Sequence, residues 1–410
     1  MLVKILLLTQ WFDPEPTFKG LLFAKTLRDK GYDVEVLTGF PNYPGGKVYK
    51  GYKISLYQKE IIDGITIHRV PLYPSHDGSA LKRIFNYVSF SLSSILIGLI
   101  KTRNIDVIYS YHPPLTTALS AVVLGFFKRI PFVVDIQDLW PDTLMATGMI
   151  NNKKILNVIN FFCKFVYKSA SEIVVLSPGF KQRLIERNVP SEKITVIYNW
   201  CDEKSISEYH PCSFNLPNNN KLNLVFAGNL GFAQGLDAII DAAKILNKKQ
   251  IPVNIIFIGD GVSKESAIEN VKKSQIDNVF FIPRVPMTQV GDLLHKADML
   301  LVHLNEDDLF KITIPSRTQA YLATGKPIVM GVSGDASNLI LESDAGVICE
   351  PNNANSLSDA IIKLASMSAS QRIDMGERGK SFYYDKLSVD KGVDRFISIF
   401  KKACKNEKNL

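Results

Sequence analysis

The sequence predicts an α/β protein, with two Rossmann-like domains that are each built on a parallel β-sheet. Short runs rich in Val, Ile and Leu alternate with segments of helical length along all 410 residues. These runs are apolar throughout, which is typical of parallel strands covered by helices on both faces. The alternation occurs on both sides of a polar stretch near the middle, and a chain of this length suits two domains.

Residues 1–202 are predicted to form the first domain. Its first apolar run is expected to be a buried strand and not a signal peptide, because it is short and lacks a small-residue cleavage site. The predicted strands are residues 3–9, 33–38, 65–71, 105–110, 131–136 and 172–177. The predicted helices are residues 18–30, 81–102, 114–128, 152–169 and 178–187.

Residues 203–221 have a polar, Pro- and Asn-rich composition that predicts a linker. A second domain is predicted over 222–385, and residues 386–410 are expected to form a helix that packs back on the first domain. Ligands in such folds bind at the carboxyl ends of the strands, so we expect a cleft between the domains. The predicted strands of the second domain are 222–227, 253–258, 279–282, 299–303, 327–330 and 347–349. Its predicted helices are 235–248, 263–274, 288–296, 316–324, 335–343 and 356–367.

Composition excludes several classes of protein. A hydrophobic content of 46% with 21% charged residues is that of a folded protein and not of a disordered one. The five cysteines are odd in number and scattered, without a CxxC pair or a Cys/His cluster. This pattern argues against a structural zinc site and indicates a reducing compartment.

The net charge of +8 lies in the first half of the chain. Residues 1–205 contain 25 Lys and Arg against 17 Asp and Glu, whereas the remainder contains 23 of each. A basic half indicates an anionic partner, such as a membrane surface or a phosphorylated acceptor; the alternative is a surface excess without function. Nucleic acid is disfavoured, because no basic run is interleaved with aromatic residues.

The apolar run from Leu81 to Ile100 has basic residues on both sides. Its serines and Asn86 make it a poor membrane span. Two interpretations remain: a helix that lies in a membrane interface with its basic ends at the headgroups, or a packed crossover helix. Residues 161–168 have the same character and the same two interpretations.

Residues 314–329 predict a phosphate-binding turn. The segment consists of a polar loop, one apolar helix and a Gly-Lys-Pro turn into a buried strand. A helix N-terminus attracts anions through its unpaired N–H groups and its dipole. Ser316 is expected to cap this helix, and the Arg317 guanidinium to offer a planar fork to phosphate oxygens. An ordinary βα crossover is the alternative.

Two glycine-rich turns also predict phosphate binding. Strand 222–227 ends at Gly228 and Gly231, where a backbone N–H can approach a phosphate closely, and Gly259 and Gly261 follow the next strand. The first turn is not GxGxxG, so dinucleotide binding is disfavoured. With residues 314–327, three loops meet at one sheet edge, which predicts a cradle for a nucleoside diphosphate.

These motifs, in this order, resemble glycosyltransferase family 4, whose members are retaining enzymes of the GT-B fold. The resemblance covers most of the chain and is strongest to bacterial transferases of lipopolysaccharide O-antigen and capsule clusters, in particular N-acetyl-L-fucosamine transferases. The residues that carry it are Thr9 to Pro16, Leu37 to Pro44, Asp138 to Asp142, Ser177 to Phe180, Ile197 to Asp202, Gly228 to Gly235, Gly259 to Gly261 and Pro315 to Pro327.

The resemblance implies a set of site residues. The expected donor-binding residues are Gly228, Asn229, Gly231, Gln234, Gly259, Asp260, Gly261, Val285, Ser316, Arg317, Gln319 and Asp335. The expected catalytic residues are Arg317, Asp138, Glu15 and His112, and the expected acceptor-binding residues are Lys19 and Trp140. For His112 a structural role is the alternative, for Asp138 and Asp335 the capping of a loop or helix, and for Lys19 simple solvation.

The chain departs from the family pattern in the first phosphate loop. Many members place an Arg and a Lys there, where this chain has Asn229 and Gln234. The diphosphate charge must then be met elsewhere, and Arg317 is the first candidate, followed by Lys311 and Arg284.

A second departure concerns the paired glutamates of the family, which would fall at Ile312 and Ala320. The second glutamate normally binds ribose, and we expect Gln319 to replace it. A third departure is the segment 17–20, which contains Lys19 where relatives carry paired glycines.

The resemblance implies a retaining glycosyltransferase that moves a sugar, N-acetyl-L-fucosamine in the first instance, from a UDP donor to a GlcNAc on a polyprenyl diphosphate. No cofactor and no metal are expected, because leaving-group stabilisation can rest on cations and helix ends. The expected location is cytoplasmic, peripheral on the inner face of the plasma membrane. The alternatives are a UDP-sugar 2-epimerase of similar fold and a non-catalytic nucleotide-sugar-binding protein.

Overall fold

The computed structural model describes residues 3–75, 80–146, 149–150, 152–208 and 210–407. The chain divides into two compact units. Unit 1 consists of Met1–Tyr198 and Gly392–Leu410, and unit 2 of Asn199–Lys391. The chain therefore returns to unit 1 after completing unit 2.

Unit 1 contains, among its described residues, a sheet of eight strands. They are β1 (Lys4–Leu8), β2 (Asp33–Gly39), β3 (Gln58–Ile62), β4 (Ile65–Val70), β5 (Val107–His112), β6 (Phe132–Ile136), β7 (Glu172–Val175) and β8 (Ile194–Val196). Their order is β3-β4-β2-β1-β5-β6-β7-β8, and only the β3–β4 pair is antiparallel. Strands β5 and β6 are buried at every position, as the continuous apolar runs predict.

The helices of unit 1 cover both faces of this sheet. They are α1 (Leu21–Asp29), α2 (Ala80–Lys101), α3 (Leu115–Lys128), α4 (Asp142–Ala146), α5 (Lys153–Ser169), α6 (Pro178–Glu186) and α16 (Val389–Glu407). Right-handed crossovers between parallel strands put α2, α3 and α5 on one face and α1 on the other. Helix α16 lies with α1, because Phe396 packs on Phe23 and Tyr109 with ring centroids 5.1 and 5.7 Å apart.

Unit 2 contains a six-stranded parallel sheet within the described residues. Its strands are β9 (Leu222–Ala227), β10 (Val253–Ile258), β11 (Val279–Ile282), β12 (Met299–His303), β13 (Ile328–Gly331) and β14 (Gly346–Ile348). The order is β11-β10-β9-β12-β13-β14. The chain runs outward from β9 on one side and from β12 on the other, so the order reverses between these two strands.

The helices of unit 2 are α7 (Glu203–Ser207), α8 (Leu236–Lys248), α9 (Lys264–Lys273), α10 (Met287–Lys296), α11 (Asp308–Lys311), α12 (Arg317–Thr324), α13 (Asp335–Ser343), α14 (Ala354–Ala365) and α15 (Ala369–Lys386). Helices α8 and α14 share a buried apolar cluster with the sheet, built on Phe226, Ile240, Phe257 and Leu357. The helices thus pack on the sheet through one apolar layer, and this packing fixes the positions of the loops at the carboxyl edge of the sheet.

The predicted linker 203–221 belongs to unit 2 and has structure of its own. The Asp202 carboxylate accepts a hydrogen bond from the amide of Ser205 and caps α7. The amide of Cys212 donates to Asp292 of α10 at 3.0 Å. A Cβ on Gly291 would lie 2.5 Å from the Ser205 carbonyl, so α7 approaches α10 at backbone distance. The polar composition of the segment gave no indication of these contacts.

Candidate functional site

The polar loops of unit 2 meet where the strand order reverses, between β9 and β12. Ligands of open α/β sheets bind at such a switch point, outside the carboxyl ends of the strands. Gly228 follows β9 directly, and Arg317 opens α12, which comes after β12. A Cβ built on Gly228 would lie 3.2 Å from Nη2 of Arg317, so the two predicted residues are in contact.

The Arg317 side chain is half-buried, and its guanidinium faces an aromatic ring instead of a carboxylate. Its central carbon lies 4.1 Å from the centroid of the Phe226 ring, within the range of a cation–π contact. Nη1 is shielded from solvent and has no hydrogen-bond partner in the part of the chain that the structure describes. Burial lowers the pKa of Arg317, and the described residues place no acidic partner beside it. The site therefore holds a positive charge that no acidic group among the described residues offsets.

Two aromatic residues that sequence reasoning missed hold Arg317 in place. Phe226 lies two residues before Gly228, a spacing that puts both on one face of a strand. Tyr321, one turn after Arg317, accepts a hydrogen bond from the amide of Ala227 at 2.8 Å through its hydroxyl. Tyr321 is fully buried, so it fixes the start of α12 against the end of β9.

The glycine turns after β9 and β10 interlock through their backbones. A Cβ on Gly259 would lie 1.9 Å from the carbonyl oxygen of Gly228, and one on Gly261 would lie 2.4 Å from the carbonyl oxygen of Leu230. Gly259 has a φ of +145°, which L side chains rarely adopt. Only glycine permits this approach.

The same interlock occupies the amides that were predicted to hold a phosphate. Gly228 N–H donates to Ile258, and Gly231 N–H donates to the side-chain oxygen of Gln234 at 3.0 Å. The amides of Gly259 and Gly261 also donate within the protein. The prediction of exposed glycine amides at these positions is wrong, because each amide donates to the end of a strand or to a side chain of its own turn. Gly228 and Asn229 themselves are exposed at this edge.

Two expectations for the start of α12 are also wrong. Ser316 occupies the N-cap position, but its side chain makes no capping hydrogen bond, and it has helical backbone angles. Gln319 is buried, and its amide nitrogen is oriented to donate to the carbonyls of Ser316 and Pro315 at 3.0 and 3.1 Å. The Gln319 amide thus turns back onto the loop instead of towards a ribose.

Gln234 is fixed by neighbours of its own. Its side chain is buried, and its backbone carbonyl accepts from Nδ1 of His303 at 2.7 Å. Nε2 of His303 accepts from the amide of Asn352, and burial lowers the pKa of this histidine. His303 is thus a neutral residue that joins two loops.

The other predicted donor residues lie along the same edge. Asp260 is exposed, 3.8 Å from Lys264, and Val285 is buried in the loop after β11. Asp335 is the first residue of α13, whose N-cap is Gly334, so it stands in the first turn and does not occupy the cap position. Of the two further cation candidates, Lys311 pairs with Asp308 at 2.9 Å, and Arg284 is exposed.

Unit 1 has a corresponding switch point, where β1 is flanked by β2 and β5. His112 ends β5 and is fully buried, and neither of its ring nitrogens has a partner among the described residues. Burial lowers the pKa of His112 to about 4, so its ring is neutral at physiological pH. The Trp140 ring meets the His112 ring edge-on, with centroids 5.7 Å apart.

Asp138 follows β6, beside the end of β5. Its side chain makes no hydrogen bond or ion pair within the described residues, and burial raises its pKa. Together with His112 and Trp140 it forms a small polar and aromatic group at the carboxyl edge of unit 1. The structure therefore brings together three of the predicted unit 1 residues.

Glu15 is placed differently from the expectation of a catalytic carboxylate. It is buried, and its Oε1 accepts from the amides of Asn42 and Tyr43 at 2.6 and 2.7 Å. Its Oε2 accepts from the amide of Phe12 at 3.1 Å. Burial raises the pKa of Glu15 to about 7, against the opposing effect of these amides. Glu15 joins the loops after β1 and β2.

Lys19 neither faces a phosphate nor is solvated, so both interpretations of it are wrong. Its ammonium lies 3.0 Å from the Asp135 carboxylate, and both side chains are fully buried. The Tyr109 hydroxyl and the Gln137 amide also donate to Asp135, at 2.6 and 2.7 Å. The Phe396 ring lies 5.4 Å from the ammonium. Lys19 thus ties the loop after β1 to the sheet and to α16.

Comparisons with known proteins assign the family. The family model described as "Glycosyl transferase 4-like domain" matches residues 21–200, and "Glycosyl transferases group 1" matches residues 213–382. The chain belongs to the glycosyltransferases. Both models are of transferases, and neither supports the alternative of a UDP-sugar 2-epimerase.

Curated relatives of this glycosyltransferase have low sequence identity to it, but they match it over most of both chains. One is WcaI of Escherichia coli strain K12, described as a colanic acid biosynthesis glycosyl transferase; it is 25% identical over 79% of this chain and 82% of its own. Another is the N-acetyl-alpha-D-glucosaminyl L-malate synthase of Bacillus anthracis, 21% identical over 95% and 94% of the two chains.

Solved structures show that the glycosyltransferase has the GT-B fold. A glycosyltransferase from Rickettsia africae matches 99% of both chains with a TM-score of 0.67 and 16% identity. HepE of Anabaena, solved with UDP and glucose, has a TM-score of 0.67 and 15% identity over 97% of this chain and 99% of its own. A trehalose-6-phosphate structure from E. coli with UDP-2-fluoro glucose has a TM-score of 0.71 and 12% identity over 97% and 99%.

The interlock of the glycine turns predicts a large cost for Gly259→Ala. We expect hydrogen exchange to show β9 and β10 destabilised by about 3 kcal/mol, since the methyl group overlaps a carbonyl as well as straining φ. Gly31→Ala is the control, because Gly31 also has a positive φ but no atom within 4 Å of its Cβ. Gly31→Ala should lower the stability of the glycosyltransferase by only about 1 kcal/mol. Equal losses of stability in Gly259→Ala and Gly31→Ala would contradict steric interlocking.

The buried ion pair predicts that Lys19→Met lowers the free energy of unfolding of unit 1 by about 3–5 kcal/mol, because Asp135 is left buried and unpaired. Hydrogen exchange in β5 and β6 measures the loss. Adding Asp135→Asn should restore most of it. Lys25→Met, which breaks an exposed pair with Asp63, is the matched control and should cost at most about 1 kcal/mol.

Proposed function

We propose that this glycosyltransferase transfers a sugar from a UDP donor, and that the donor diphosphate binds beside Arg317. The observation that carries the proposal is the half-buried guanidinium at the switch point of unit 2, beside which the described residues place no acidic partner. A buried charge without a partner is costly, and an anionic ligand would remove that cost. The presence of UDP or a UDP-sugar analogue in HepE and in the E. coli trehalose-6-phosphate structure supports UDP as the nucleotide.

The chemistry that this arrangement favours is stabilisation of a leaving group. As the glycosidic bond to the donor phosphate breaks, negative charge develops on the β-phosphate. The guanidinium fork can donate two parallel hydrogen bonds to such oxygens, and the N-terminus of α12 adds a favourable dipole. In a water-poor site these groups need no reorganisation during the reaction. We propose independence from a metal ion on the same reasoning, and retention of configuration because the sequence resembles glycosyltransferase family 4.

For the acceptor we propose the His112, Asp138 and Trp140 group of unit 1. The neutral His112 ring is suited to hydrogen bonding rather than to donating a proton as imidazolium. The Trp140 ring offers a face for a sugar, and the Asp138 carboxylate is suited to accept a hydroxyl hydrogen bond. We propose a sugar on a lipid diphosphate as acceptor, GlcNAc first, and N-acetyl-L-fucosamine as the transferred sugar.

The biological setting is part of the same proposal. The resemblance to O-antigen transferases and the description of WcaI both favour surface polysaccharide synthesis. None of the five cysteines forms a disulfide in the part of the chain that the structure describes, which supports a cytoplasmic location. The lipid acceptor would put the enzyme at the inner face of the plasma membrane.

Arg317→Ala tests the donor site directly. It should weaken UDP binding by roughly 2–4 kcal/mol, because it removes a charge-assisted fork from a buried site. Isothermal titration calorimetry with UDP measures this loss. The UDP affinity of Arg317→Lys should lie between those of the wild type and Arg317→Ala, since lysine keeps the charge but loses the planar geometry.

The stability of the same variants separates a ligand-binding role from a structural one. Arg317→Met should not lower the free energy of unfolding of unit 2, because it removes a half-buried charge for which the described residues provide no acidic partner. Arg378→Ala is the control, since Arg378 lies in the same unit and pairs with Asp344 at the surface. UDP affinity that is unchanged in Arg317→Ala, or lost equally in Arg378→Ala, would exclude the proposed donor site.

A donor and acceptor screen tests the reaction. UDP-, GDP- and dTDP-sugars are incubated with a synthetic lipid-diphosphate GlcNAc, with and without EDTA, and the product is analysed by mass spectrometry and NMR. We expect UDP release only with acceptor present, an unchanged rate in EDTA and a retained anomeric configuration. Tight UDP-sugar binding without turnover for any acceptor would favour the non-catalytic alternative.

A further inference from the structure

Helix α2 exposes seven of its large apolar residues instead of burying them. Those at helical spacing along one side are between 41% and 69% exposed: Leu81, Ile84, Phe85, Val88, Leu92, Leu96 and Ile100. A surface helix of a globular domain usually shows the opposite pattern, with its apolar stripe towards the core. This reversal requires a partner outside the domain.

The inward side of α2 combines the fully buried Phe90 with small and polar residues, and these polar residues are satisfied by hydrogen bonds. Asn86 donates to the Tyr73 carbonyl at 2.7 Å and also bonds to Gln10. The hydroxyls of Ser91 and Ser94 lie 2.8 and 3.1 Å from that of Ser120 on α3. Helix α2 is therefore fixed to its domain by Phe90 and by polar contacts, and most of its exposed apolar stripe lies outside this packing.

The neighbouring helices extend this apolar surface. Phe126 and Phe127 at the end of α3 are 77% and 66% exposed. On α5 the exposed residues recur at helical spacing: Ile155, Val158, Phe161, Phe162 and Phe165. An open groove of about 620 Å³ runs between α3 and α5, with Val122, Phe126 and Phe165 among its lining residues. We call the exposed apolar residues of α2, α3 and α5 the three-helix face.

The charges of these helices have one sign. Helices α2, α3 and α5 contain no Asp or Glu. Their basic residues are Lys82, Arg83, Lys101, Lys128, Lys153, Lys154, Lys164 and Lys168. Apolar residues with basic ones around them match the chemistry of an anionic lipid surface, where acyl chains lie beneath negative headgroups.

The segment Leu81–Lys101 is long and apolar enough to cross a membrane, by length and composition. The topology argues against a span. Helix α2 connects β4 to β5, which belong to the same sheet, so both ends of the helix must return to the same domain. If α2 lies parallel to the membrane surface, both of its ends can return to the sheet while its apolar stripe contacts the lipid.

We infer that the three-helix face docks unit 1 onto an anionic lipid bilayer, with the apolar stripes among the acyl chains and the lysines at the headgroups. A second copy of the chain fits the face less well. A symmetric dimer would place the same basic patch opposite itself, with no acidic residue on these helices to offset the repulsion. The inference does not depend on the proposed sugar transfer.

Co-sedimentation with vesicles tests the inference with the full chain. We expect binding to vesicles of phosphatidylcholine with 30% phosphatidylglycerol, weaker binding to pure phosphatidylcholine, and a loss of binding at high salt. Leu92→Gln/Leu96→Gln should lower the partition coefficient about tenfold. The matched control is Leu341→Gln/Ile373→Gln, which changes two residues of unit 2 with 59% and 60% exposure, against 59% and 62% for the test pair.

The charge contribution has its own pair of variants. Lys153→Gln/Lys154→Gln should lower binding to the anionic vesicles about tenfold and reduce its salt dependence. Lys272→Gln/Lys273→Gln on α9 is the control and should bind as the wild type does. Equal binding by test and control variants, or no vesicle binding by the wild type, would overturn the inference.

Two further measurements complete the test. A dimer in analytical ultracentrifugation that is lost in Leu92→Gln/Leu96→Gln would assign the face to a second copy and overturn lipid docking. UDP binding separates this inference from the proposed function. Leu92→Gln/Leu96→Gln should keep UDP binding and lose vesicle binding, whereas Arg317→Ala should do the reverse.

Discussion

The contact between the Arg317 guanidinium and the Phe226 ring is the interaction on which the edge of unit 2 depends. An aromatic face holds a cation in position without neutralising its charge. A carboxylate in the place of Phe226 would hold it more firmly but would compete with any anionic ligand. Tyr321 completes the arrangement by anchoring the start of α12 to β9. The site is therefore preorganised and still positively charged.

The glycine turns shape this site in a way that differs from a simple phosphate loop. Their amides already donate to strand-end carbonyls or to side chains of their own turns, so their contribution is steric: they let two loops approach at backbone distance and leave room beside Gly228 for the guanidinium. The electrostatic contribution then comes from a side chain and a helix end. This division fits a chain that has Asn229 and Gln234 in its first loop.

The apolar runs predicted the strands that form the middle of both sheets, because burial on both faces leaves a strong signal. They did not predict β3, whose polar residues lie at an exposed edge, although the Asp63-Gly64 turn before β4 indicates a hairpin. Helix α15 was missed because of its many charged residues. The polar composition of residues 203–221 was mistaken for a linker, since sequence does not reveal the partners that polar residues find in the fold.

The candidate site was predictable in position but less so in detail. Arg317 followed from its place between a loop and an apolar helix, and Gly228 from its place at the end of a strand. Glu15, Lys19 and Gln319 were misjudged, because a charged or polar side chain in a loop gives no indication of depth. Each of them is buried and bonded to neighbouring residues.

The return of the chain to unit 1 has a consequence for biosynthesis. Phe396 and Phe400 of α16 cover Tyr109, and Phe396 also covers Lys19. A ribosome makes the strands of unit 1 first, but those residues emerge only after all of unit 2 has been translated. One face of the nascent amino-terminal sheet therefore stays incompletely covered while nearly two hundred further residues, Asn199–Lys391, are translated. Chaperone protection during translation is needed most for that uncovered face.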